Sequence, residues 1–207
     1  MRTTIMNQRL GFHARGAAGF TMIELLIAIA ILLFGIVAVA RLVPMAIDTN
    51  FRNRNDSTAL IAAQRLLEQM AAQPMDSMSG ACGAAPANTY YFCDSDGDLI
   101  LLGRQDTTLG ASVTTQDGCP VGAAGQIDFT IASPANCNPN GTVDYGLKKN
   151  WVWNPVTGTN QVVELRWRVI TWHAGGAAMR KVFIVGARSG TAGQGLTVTD
   201  LQTVVGR

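Results

Sequence analysis

Gly19-Phe20-Thr21-Met22-Ile23-Glu24-Leu25-Leu26, followed by an apolar run from Ile27 to Ala40, decides how this chain begins to fold. Of the 21 residues from Phe20 to Ala40, only Thr21 and Glu24 are polar. As a helix rising ~1.5 Å per residue, the run spans roughly 31 Å, the thickness of a bilayer core. No other apolar stretch among the 207 residues is long enough to cross a membrane as a helix. Glu24, four residues into the run, needs a physical reason. An ionised group at a bilayer centre costs about 2.5 to 3.5 kcal/mol on insertion scales and less near the interface. Glu24 is therefore either an interfacial side chain that snorkels to water or one half of a charge pair.

The composition takes its meaning from this run. Charged residues make up 14% of the chain, well under the ~25% of an ordinary soluble domain, and the mean hydropathy is +0.18. The net charge of +2 is local: Arg2, Arg9 and Arg15 precede the run with no acid among the first 19 residues, leaving 13 basic and 14 acidic side chains beyond them. A near-neutral remainder lacks the clustered Lys and Arg of a nucleic-acid-binding surface, and adjacent Lys148 and Lys149 read as a solvated loop. Cys82, Cys93, Cys119 and Cys137 all lie beyond the run, without CxxC spacing. They read as two disulfides in an oxidising compartment. Short loops have the lower closure entropy, which favours Cys82 with Cys93 and Cys119 with Cys137 among the three possible pairings.

Residues 1–19 form a short basic leader and 20–43 a membrane and assembly helix. Pro44 is expected to kink the helix. Residues 44–73 are then an amphipathic helix, with Leu60, Ala63, Leu67 and Met70 on one face and a stop before Pro74. From 74 to 207 the composition turns to Gly, Asn, Asp, Ser and Thr with short β-rich runs, so the predicted fold class is α+β: a long N-terminal helix packed on an antiparallel sheet. Thr89–Cys93 and Leu99–Leu102 flank a turn containing Gly97. Val163, Leu165, Trp167 and Val169 alternate with polar residues, and Lys181–Val185 returns after a Gly-rich turn that includes His173. The stretch from Leu196 to Val205 reads as a last strand.

The octet Gly19 to Leu26, behind a basic leader and ahead of an unbroken apolar helix, resembles the signal of type IV prepilins and of type II secretion pseudopilins. The resemblance implies that a prepilin peptidase cuts between Gly19 and Phe20 on the cytoplasmic side and N-methylates Phe20. It implies that Glu24 recruits the subunit by pairing with the N-terminal ammonium of a neighbour. The implied partners are that peptidase, other major and minor pilins, the inner-membrane assembly platform and, before assembly, membrane lipid. The implied location is the bacterial inner membrane with the globular part periplasmic, then the pilus at the cell surface. The stretch with Gly35, Arg41-Leu42-Val43-Pro44 and Ala59 to Pro74 is similar to PilV-type minor pilins, whose tip complex primes assembly.

Two other readings stand beside it. One is a pseudopilin of type II secretion or DNA uptake; the other is an exported soluble binding domain released by cleavage after Ala38-Val39-Ala40. An enzyme finds little support: His173 is the only histidine beyond the leader, no nucleophile elbow or His-metal spacing occurs, and no cofactor is called for. Asp94, Asp96 and Asp98 resemble a calcium loop, but the glycine comes fourth and Gln105 stands twelfth, so the segment reads first as a turn. Trp167 is assigned to the core, and Trp172 is the better exposed candidate for stacking a ligand, with Trp151 and Trp153 beside it.

Overall fold

A computed structural model describes residues 19–105, 112–122, 125–131, 137, 145–154, 159–189 and 199–206, apart from the side chains of 51, 150–154, 159–161 and 199. The leader residues 1–18, Leu196 to Val198 and the side chains of Trp151 and Trp153 lie outside the described set. The chain divides into two compact units, Met1–Asp48 and Thr49–Arg207.

Helix α1 runs Met22–Ala72 and passes through Pro44 without a break. In the first unit its side chains are exposed, including Ile23, Leu26, Ile31, Phe34 and Leu42, and it is long and apolar enough to cross a membrane. In the second unit, the helix from Thr49 buries Ala59, Ala62, Ala63, Leu66 and Met70. The buried face shares Ala63 and Met70 with the expected one and takes Ala59 and Leu66 in place of Leu60, which is exposed, and Leu67, which is only partly buried. Three of the five residues on this buried face are alanines, beside Leu66 and Met70.

The small sheet has the order β1-β2-β3, with β1 (Met78–Ser79) parallel to β2 (Thr89–Cys93) and β2 antiparallel to β3 (Leu99–Arg104). Gly97, at φ +87°, supports the β2–β3 turn. The larger sheet is antiparallel and is organised by the 16-residue strand β6 (Thr159–Ala174). One edge of β6 takes β4 (Val113–Gly118) beside residues 168–173 and β5 (Gly146–Asn154) beside 159–166. The other edge takes β7 (Ala177–Ser189), followed by β8 (Thr199–Gly206). Gly175 and Gly176, both at positive φ, form the two-residue β6–β7 turn, where a side chain would be strained.

Odd-numbered residues of β6 face the core: Val163, Leu165, Trp167 and Val169 are buried, and Trp167 Nε1 donates to the Leu101 carbonyl at 2.8 Å. His173 does not lie in the turn. It is a buried residue of β6 whose ring stacks near Tyr90, because the strand extends four residues beyond Ile170. Lys149 is likewise part of strand β5 and not a solvated loop, whereas Lys148 is exposed.

Candidate processing and assembly site

Gly19 and Phe20 precede α1 and are exposed, Phe20 by 83%. Thr21 caps the helix: its Oγ1 accepts the Glu24 amide at 3.3 Å, and its carbonyl accepts the amides of Glu24 and Leu25 at 3.1 and 3.2 Å. Thr21-Met22-Ile23-Glu24 has the T-x-x-E spacing of a capping box, which places Glu24 in the first helical turn. A carboxylate there opposes the partial positive charge of the helix N-terminus. This local use of Glu24 was available in the sequence but is hidden by the membrane context. Its side chain is exposed and hence open to a second chain. A side chain at Gly19 would meet nothing within 4 Å, so the fold of this chain does not itself demand glycine at the position.

The disulfides belong to the second unit and are not brought to these residues. Cys82 bonds Cys93, fastening the segment after β1 to the end of β2, and Cys119 bonds Cys137, closing a loop that begins at the end of β4. Within that loop Phe129 has two guanidiniums against its ring, with Arg166 4.9 Å and Arg188 5.1 Å from its centroid. Buried Arg166 donates to Glu164 and to the Asp128 and Ile131 carbonyls, and Arg188 reaches the other Glu164 oxygen at 2.6 Å. Burial would raise the Glu164 pKa, but the hydrogen bonds from Arg188 and Arg166 outweigh it and hold the carboxyl below its usual value. This clamp, which holds the disulfide loop to the outer sheet face, has no signature in the sequence because the loop carbonyls that Arg166 binds are 38 and 35 residues away from it.

The three aspartates of the β2–β3 turn converge on Lys149. Its ammonium pairs with Asp94, with Asp96 at 2.7 Å and with Asp98 at 3.1 Å. Asp94 also accepts the Asp96 and Asp98 amides, and Arg65 of α1 donates to Ser95 at 2.9 Å. Burial would lower the Lys149 pKa, yet the three carboxylates raise it; the Lys149 hydrogen bond and charge lower that of Asp96. The turn expected from the sequence is thus one whose carboxylates are satisfied by a lysine of the other sheet. No group of three or more His, Cys, Asp or Glu side chains able to hold a metal occurs among the described residues. Trp167 is core, and Trp172 is half-buried with the Arg180 guanidinium 5.3 Å from its ring.

A family model described as the prokaryotic N-terminal methylation motif matches residues 14–40. The match covers the Gly19–Phe20 junction, Glu24 and the apolar helix, and it supports a type IV pilin-like prepilin. Such a prepilin is a substrate of prepilin peptidase that assembles with other pilins. The helix suits membrane anchoring before assembly. No curated protein and no solved structure matches the chain.

Proposed function

We propose that the chain is a minor type IV pilin, cut between Gly19 and Phe20, N-methylated at Phe20 and carried into the pilus with its disulfide-bonded β-domain outward, in the complex that primes assembly at the tip. It is a structural part and not a catalyst. The observation that carries this reading is the coincidence, within residues 14–40, of the methylation motif, an exposed cleavage junction and a capped, exposed apolar helix bearing Glu24. In a lipid-like filament core an unpaired carboxylate is costly, and an ammonium within ~4 Å makes the paired register the most stable one. The preference for a minor pilin over a pseudopilin rests on the similarity of residues 35–74 to PilV-type subunits.

The test is N-terminal sequencing of the processed protein. A methylated terminus at Phe20 is expected, and a terminus at Arg41 would overturn the proposal in favour of an exported domain. Glu24→Ala should leave cleavage intact while reducing incorporation into filaments. Normal incorporation of that variant would remove the charge-pairing role.

A further inference from the structure

Where the two sheets meet, a row of polar side chains is closed off from solvent without being paired. Thr115 of β4, Thr171 of β6 and Lys181 of β7 are cross-strand neighbours on the inner face of the larger sheet, and His173 lies two residues beyond Thr171. Thr171, His173 and Lys181 are each at most 1% exposed. Among the described residues, Thr115 Oγ1, Thr171 Oγ1, both His173 ring nitrogens and Lys181 Nζ have no hydrogen-bond partner. The small sheet covers the row. The Tyr90 ring of β2 lies 4.1 Å from Lys181 Nζ and stacks near His173, with 6.4 Å between ring centroids. Gly103 of β3, at φ +105°, approaches so closely that a Cβ there would lie 2.8 Å from Thr171 Oγ1.

Buried polar groups in folded proteins find partners, and a cluster of unpaired ones marks a place for water or an ion. The chemistry of this set favours the ion. Lys181 carries three donors and no acceptor, each threonine hydroxyl can donate, and an imidazole donates through at least one nitrogen. Of the carboxylates nearby, Asp117 accepts the Arg104 amide at 3.1 Å, and Asp76 exerts on Lys181 a pull smaller than the opposing effect of burial. A water would accept from these donors but leave the ammonium charge buried and unbalanced. An anion corrects both faults, and the buried charge is the costlier one. The approach of Gly103 to Thr171 disfavours a bulky oxyanion on that side.

We propose that Thr115, Thr171, His173 and Lys181 form a buried site for one small monovalent anion of the halide type, with hydroxyl, imidazole and ammonium donors supplied by three strands. The ion neutralises Lys181 at the join of the two sheets, so its binding is linked to the stability of the β-domain. The site belongs to the second unit and stands apart from the pilin reading.

The experiment melts the full chain in non-ionic micelles, followed by near-UV circular dichroism, in sodium chloride and in sodium gluconate of equal ionic strength. In chloride the β-domain is expected to melt several degrees higher, with a gain that follows a single-site saturation curve. Lys181→Met keeps the length of the side chain without its ammonium and is expected to lose the chloride gain. Thr171→Val keeps the shape without the hydroxyl and is expected to need about tenfold more chloride for half of it. General salt effects act on all three proteins, so the difference between parent and variant reads the site. A parent that melts alike in the two salts, as a row filled by water alone would, overturns the proposal, and so does a chloride gain that Lys181→Met retains. Chlorine NMR reads binding without any variant: the folded parent should broaden the chloride line, and bromide should relieve the broadening. A line no broader with the folded chain than with the chain in urea overturns the site.

Discussion

Lys181 lies opposite Thr171 on the inner face of the larger sheet, its Nζ 4.1 Å from the Tyr90 ring centroid and without a hydrogen-bond acceptor among the described residues. His173 lies two residues beyond Thr171 on the same face, and both its ring nitrogens are also unpaired among the described residues. Burial lowers the Lys181 pKa from 10.5 to about 7, against a smaller opposing pull from Asp76. Between those values the unfolded chain binds the proton and the folded one does not, so stability rises as pH increases from about 7 toward 10.5. Lys181→Met should therefore stabilise the β-domain by a few kcal/mol near neutrality, in line with ~1.4 kcal/mol per pKa unit, and the gain should shrink toward pH 10. Thermal melting of both proteins across that range checks it, and a pH-independent difference would contradict the argument. Lys149 has the opposite sign: its raised pKa makes its contribution full below 10.5 and lost as pH climbs through the folded value. Lys149→Met should lower the urea midpoint at pH 7 and bring that midpoint closer to the parent's at strongly alkaline pH.

At the scale of elements, what was legible in the sequence is what local pattern alone encodes. The alternation of Val163, Leu165, Trp167 and Val169 and the Gly175-Gly176 pair identify β6 and β7, because strand period and turn chemistry act over a few residues. The exact α1 face escapes a local reading because three of its five burying residues are alanines, which carry little hydrophobic signal in a sequence count, and because Leu66 and Leu67 are adjacent. The sharing of one β6 edge by β4 and β5, and the clamp on Phe129, depend on residues far apart in the chain and could not be read locally. The clamp makes its own prediction. Arg166→Met leaves the Asp128 and Ile131 carbonyls without their donor and Glu164 held by Arg188. Breaking a buried pair in this way costs about 3–5 kcal/mol. Hydrogen exchange should show residues 127–131 losing protection while the β6–β7 ladder retains it, and unchanged protection at 127–131 would count against the clamp.

For the whole molecule, the division at Asp48 separates two solvation problems. From Phe20 to Ile47, 18 large apolar side chains are exposed. At about 1.5–3 kcal/mol for each one covered, lipid or neighbouring helices can stabilise this segment by tens of kcal/mol. The second unit has its own core, formed by α1 from Ala59 to Met70, the small sheet and the inner face of the larger one, and it holds both disulfides. A chain beginning at Thr49 should therefore remain in solution without detergent and melt at the same temperature as the β-domain of the full chain in micelles. Reduction should lower that temperature, since each disulfide closes a loop of 11 or 18 residues and such loops contribute about 3 kcal/mol apiece by chain entropy. Near-UV circular dichroism during melting, with and without dithiothreitol, reads both expectations. If the shortened chain unfolds at a lower temperature than the full one under oxidising conditions, residues before Thr49 contribute to the core of the second unit, and the two-unit division fails.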